Sequence, residues 1–214
     1  MKNKKSGGYS FLDFLYDIIR WFIIITGLPI FRPKYIYENE AAKKHVKGGA
    51  LLVSNHVHLV DPMYLMLGIW YRRNHFIIAE EVYNKKFLSI FLKISGCLPV
   101  NRENVSLDTF RNIVDRLKQG RMVTIFAEGH INTDESKIDA FKSGMVLMAL
   151  QSGVPIVPIY MKKKKHFYSR IVFVIGEKID IDDGSGKRPG LAKINKIAEQ
   201  VHERELQLKE IGDS

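Results

Sequence analysis

Short apolar runs alternate with helix-patterned segments along most of this chain, and that alternation restricts its fold more than any other property. The runs at Ala50–Ser54, 76–79, 97–100, Met122–Phe126, 155–160 and 171–175 are rich in Val, Ile and Leu and carry few charges. Short, nearly continuous apolar runs are what strands buried on both faces of a sheet look like. Helical patterns lie between them at 62–71, 85–94, 106–119, 141–151 and 192–208. In the third of these, Leu107, Phe110, Ile113, Val114 and Leu117 repeat at helical spacing before Gly120 stops the pattern. Alternation of this kind predicts an α/β fold, with a largely parallel central sheet flanked by helices. At 214 residues the chain suits one substantial core plus an appendage.

The appendage is N-terminal. Segment 11–28 is mostly Phe, Leu, Tyr, Ile and Trp, with Asp13, Asp17 and Arg20 at i, i+4 and i+7 on one face. A narrow polar stripe on an apolar helix, ended by Gly27 and Pro29, suits an amphipathic helix lying in a bilayer interface. Three charges argue against a spanning helix. The segment also lacks a small-residue cleavage site, which argues against a removed signal peptide. The competing reading is a helix packed into the core.

A net charge of +10 and a pI near 9.6 call for a polyanionic partner. Lys2, Lys4, Lys5, Lys34, Lys43, Lys44 and Lys47 favour the anionic headgroups of a membrane surface. Nucleic acid is not expected. The run Lys162-Lys163-Lys164-Lys165 falls between two apparent strands, and no helix-turn-helix, zinc-finger or RNA-recognition pattern is present. The single cysteine, Cys97, excludes an internal disulfide and fits a reducing compartment.

In sheets of this type chemistry collects at strand ends, and three strand exits are polar. The first is Asn55-His56-Val57-His58-Leu59-Val60-Asp61-Pro62. On one helix, His56 and Asp61 would lie roughly 140° apart, so they meet only if the chain turns between them. Asp61-Pro62 reads as a helix cap followed by proline at the first helical position. That leaves His56 on a loop beside an acid, as a catalytic base requires. Two alternatives stand: Asp61 merely caps the helix, or His56-x-His58 begins a zinc site completed by His75, His130, His166 or His202. The second exit carries Arg102, a planar cationic fork for phosphate or carboxylate. The third carries Glu128-Gly129-His130, whose glycine permits close backbone approach to a ligand. Lys142 and Gly144 open the next helix, where free amides favour an anion.

Taken in order, these segments resemble the glycerolipid acyltransferase family. Its N-H-x-x-x-x-D-P block is met by Asn55, His56, Asp61 and Pro62. A G-x-(I/L)-x-(V/I)-x-R block resembles Gly96 to Arg102, and an F-P-E-G block resembles Phe126-Ala127-Glu128-Gly129. A V-P-(I/V)-(V/I)-P block is met by Val154 to Pro158. Four ordered blocks spanning about 50–160 are a specific signal.

The N-terminal pattern gives a membrane-associating segment over 1–32, and the resemblance implies an acyltransferase domain over 33–214. It implies that His56 and Asp61 are catalytic and that Arg102, Glu128, Gly129, His130 and Lys142 bind substrate. No metal or other cofactor is expected. Acyl-CoA or acyl-carrier protein would be the donor, and a lysophospholipid, first 1-acyl-glycerol-3-phosphate, the acceptor. The cytoplasmic face of the cell membrane would be the place of action, with the protein peripheral or monotopic. Three positions depart from the pattern: His58 where the family has a small or polar residue, Ala127 for proline, and His130-Ile131 in place of the arginine after the glycine. The lost arginine shifts the phosphate contact toward Arg102 and Lys142.

Overall fold

The computed structural model describes residues 10–101, 105–132, 134, 137–162, 169–181 and 190–214. Seven strands, β1 Lys34–Tyr37, β2 Ala50–Ser54, β3 Asn74–Ala79, β4 Leu98–Val100, β5 Met122–Phe126, β6 Ile156–Lys162 and β7 Val172–Ile175, form one sheet in the order β1-β7-β6-β2-β5-β3-β4. All neighbours are parallel except the antiparallel β6–β7 pair. The largely parallel sheet expected from the apolar runs is therefore present. Every residue of β2 is buried, as a central strand covered on both sides must be.

Successive side chains of β2 point to opposite faces of the sheet and so divide the core in two. Leu51 and Val53 pack with α5 (Leu107–Lys118), α6 (Gly144–Ser152) and α7 (Leu191–Asp213). Ala50 and Leu52 pack with α1 (Phe11–Phe31), α2 (Asp61–Gly68) and α4 (Lys86–Ile94). A single-turn helix, α3 (Glu80–Tyr83), leaves β3.

Helix α1 differs from expectation in two respects. It runs through Pro29 to Phe31 and ends at Arg32, whose backbone is left-handed at φ 42°. Proline has no amide to donate and crowds the preceding turn, yet the last turn is still closed by the Arg32 amide on the Leu28 carbonyl at 2.9 Å. More important, the polar stripe faces the protein, not water. Arg73 donates to both Asp17 and Asp13, at 2.8 and 3.1 Å, and Arg20 donates to the Trp70 carbonyl at 2.8 Å. Gly27 sits where a Cβ would come within 2.9 Å of the Leu67 side chain, so a small residue lets α1 and α2 approach. The docked face is Tyr16, Arg20, Ile24 and Gly27, and the outward face is Phe11, Phe14, Ile18, Trp21, Phe22 and Ile25.

Candidate active site

Where β2 ends, its backbone leaves the ladder, and each buried amide needs a new acceptor. The Asn55 side chain pairs with both backbone groups of Met161, donating at 3.0 Å and accepting at 2.8 Å. The Asn55 amide donates to Glu205 Oε1 at 3.2 Å and the His56 amide to Glu128 Oε1 at 3.1 Å. The His56 carbonyl accepts from the Asn132 amide. The first residues of the loop are thus held by side chains from two distant segments.

The turn that His56 and Asp61 require is made, though not by a helix cap. Val60 is the cap residue of α2 and Asp61 its first helical residue, so the helix begins one place earlier than the sequence implied. Asp61 Oδ2 reaches back to accept from the Val57 and His58 amides, both at 2.8 Å, and meets His56 Nδ1 at 2.9 Å. An oxygen already accepting two amides takes the third hydrogen from the imidazole, so Nδ1 donates and Nε2 keeps its lone pair. Asp61 is fully buried, and the His56 ring lies against Phe126 with centroids 4.0 Å apart and planes at 16°. These contacts hold both side chains in place.

His56 forms part of the wall of an apolar groove of about 570 Å³ that runs between α2, α4 and the ends of β3 and β5. Phe76, Phe91, Leu92, Cys97 and Ile125 line its interior, and Leu59, Leu88 and Ile131 are exposed about its rim. Burial pushes the Cys97 thiol up to about 12, so it serves as a small apolar side chain. Gly129 and Lys142 border the same groove. Gly129 has φ 78°, and a Cβ there would meet the Lys142 side chain at 3.0 Å, so the glycine both makes the turn and admits the lysine. Lys142 precedes α6 instead of opening it, and its amide donates to the Ala127 carbonyl at 3.2 Å.

The other candidates are placed differently. Glu128 is buried, and its carboxylate accepts from the His56 amide, the Asn132 side chain and the Asp139 amide, so it braces the loop. His130 is exposed and meets Asp139 at 3.0 Å, and it does not line the groove that its neighbours Gly129 and Ile131 border. Arg102 and His166 lie outside the described residues. His58 is exposed, and its Nδ1 accepts from the Val60 amide at 3.4 Å. His75 is buried at the opposite end of β3, where burial and then the Arg121 and Arg116 charges push it down to about 4. His202 meets the Ile138 carbonyl at 2.9 Å. Among the described residues no three His, Cys, Asp or Glu converge as metal ligands would.

Sequence reasoning missed Glu205. It is fully buried on α7, and burial, opposed by the Asn55 amide and reinforced by the Glu128 charge, pushes its carboxyl up to about 8. The available signal was its register, one turn after Val201 and just before Leu208 on the apolar stripe of that helix.

Comparison with known proteins fits this geometry. The chain is 26% identical over 166 residues to a 1-acyl-sn-glycerol-3-phosphate acyltransferase of Bacillus subtilis, covering 75% of this chain and 81% of that one. It is 30% identical over 135 residues to a human 1-acyl-sn-glycerol-3-phosphate acyltransferase beta, covering 58% of this chain and 48% of the human one. The fold matches the crystal structure of PlsC, a 1-acyl-sn-glycerophosphate acyltransferase from Thermotoga maritima, with a TM-score of 0.67 at 18% identity over 95% of this chain and 82% of that one. The model of the Acyltransferase family matches residues 34–162, more than half of the chain and the whole stretch from β1 to the end of β6. The chain belongs to that acyltransferase family.

Proposed function

We propose that the protein transfers a fatty acyl group from a thioester, acyl-CoA or acyl-carrier protein, to the free hydroxyl of a lysophospholipid. The acceptor read from its relatives' names is 1-acyl-sn-glycerol-3-phosphate, which would give phosphatidic acid. The observation that carries this reading is a buried His56–Asp61 pair, its free Nε2 beside an apolar groove of about 570 Å³ whose lining suits an acyl chain. The acceptor hydroxyl oxygen attacks the thioester carbonyl while Nε2 takes its proton. Asp61 holds the ring and balances the imidazolium charge. Collapse of the tetrahedral intermediate breaks the carbon–sulfur bond, and the departing thiolate takes the proton from His56. The lysine at the groove edge, Lys142, and Arg102 would hold the acceptor phosphate.

The outward apolar face of α1 supports action at a membrane surface, since large apolar side chains exposed side by side on one helix face mark an interface. The cytoplasmic leaflet, with its anionic lipids, suits the positive charge of the chain.

The test is purified protein with acyl-CoA or acyl-carrier protein and a panel of lysolipids, products read by mass spectrometry. Acylation of a lysophospholipid is the expected result. Thioester turnover with no lysolipid acylated would overturn it. Lys142→Ala should raise KM for a phosphorylated acceptor roughly tenfold and leave kcat within a few-fold, because a charge-assisted contact of about 1.5 kcal/mol is removed from bound substrate and transition state alike. An unchanged KM would remove Lys142 from the phosphate contact.

A further inference from the structure

Helix α7 buries Ile194, Ala198, Val201, Glu205, Leu208 and Gly212. Those positions form a single stripe against the sheet, and Glu205 stands where the stripe calls for Leu or Val. A carboxyl group buried in such a place is unfavourable unless its oxygens find partners. Oε2 of Glu205 has none among the described residues, so packing alone gives no reason for an acid here.

Its one partner among the described residues supplies the reason. Oε1 accepts the Asn55 amide at 3.2 Å, and the very next amide, that of His56, is taken by Glu128 at 3.1 Å. Ser54 is the last residue of β2 in register with both neighbouring strands, opposite Phe126 and Ile159. Beyond it the two amides must find acceptors outside the ladder or remain buried and unpaired. Two carboxyl groups answer that need, one from the exit of β5 and one from the C-terminal helix. Glu205 also lies outside the 34–162 segment that defines the family match.

We propose that Glu205 is a positioning residue: by accepting the Asn55 amide it fixes the turn that aims His56 Nε2 into the groove. Glu205 need not be charged to do so. A neutral carboxyl accepts through its carbonyl oxygen and adds no second negative charge beside Glu128. The inference rests on His56 being the base, and its test is arranged to separate the two.

Three variants decide it: Glu205→Gln keeps an acceptor oxygen, Glu205→Leu fills the stripe without one, and His56→Ala probes the base directly. Each is assayed where circular dichroism shows it fully folded, and hydrogen exchange of the Asn55 and His56 amides is followed by NMR without substrate. Glu205→Leu should speed exchange at Asn55 and lower kcat roughly tenfold to a hundredfold, since a shift of about 1 Å in a catalytic group has effects of that size. KM for donor and acceptor should stay within twofold, and Glu205→Gln should restore both kcat and protection to near the wild-type level. A Leu variant with unchanged exchange, or with faster exchange and unchanged kcat, overturns the proposal. So does a Gln variant as impaired as Leu. If His56→Ala stays active the base assignment falls instead, and amide exchange still reports whether Glu205 holds the turn.

Discussion

His56→Ala should retain its fold and lose acyl transfer by about a thousandfold, within the range that a positioned general base contributes. The residue is only 8% exposed, yet little of the loop depends on its ring. The Val57 and His58 amides still reach Asp61 Oδ2, and the His56 amide and carbonyl stay with Glu128 and Asn132. Far-UV dichroism and melting temperature should therefore stay close to wild type while product formation disappears. Residual activity above a few per cent would overturn the mechanism. Asp61→Asn separates geometry from charge. The amide oxygen can occupy the place of Oδ2 and accept the same three donors, so the Nδ1–H orientation survives while the charge that balances the imidazolium is gone. Its kcat should fall on the order of a hundredfold or more with KM little changed.

How much of this the sequence carried depended on whether a residue's neighbours in space were also its neighbours in the chain. Strands β2 and β5 were legible to the residue, because both are buried on two faces and their composition shows it. Strand β1 was not: Lys34-Tyr35-Ile36-Tyr37 sits at the sheet edge, partly exposed, with no apolar run to mark it. The His56–Asp61 pairing was readable because the turn between them is local. The role of Glu128 was not, since its partners Asn132 and Asp139 meet it only once the following loop folds back. Glu205 reaches across 150 residues to Asn55, and only its place on an apolar stripe hinted at a partner. The polar stripe of α1 was read correctly as a stripe, but its direction was hidden, because Arg73 lies more than fifty residues from Asp17. Arg102 and the lysines at 163–165 lie outside the described residues.

Phe22→Asp combined with Ile25→Asp should release the protein from vesicles of mixed anionic and zwitterionic phospholipid. Both side chains point away from the domain, at 67% and 66% exposure, so the change leaves docking of α1 untouched. The docked face of Tyr16, Arg20, Ile24 and Gly27, with the Arg73 bridge to Asp13 and Asp17, is unchanged. Each of these side chains contributes roughly 1.5–3 kcal/mol when fully taken out of water. Losing two of them, and adding two charges repelled by an anionic surface, should lower partitioning about a hundredfold or more, read as loss of co-sedimentation. Raising the salt separates the components further: it weakens the attraction of the lysines for the headgroups but not the apolar contact, so wild type should keep a salt-resistant fraction that the variant lacks. Equal sedimentation of the two proteins would overturn the interface reading. Although α1 has the length and apolar character to cross a bilayer, its Asp13 and Asp17 are bound to Arg73 of the domain, and Arg20 to the Trp70 carbonyl. Insertion across the membrane would break those bonds and bury the freed charges, whereas lying flat breaks none of them.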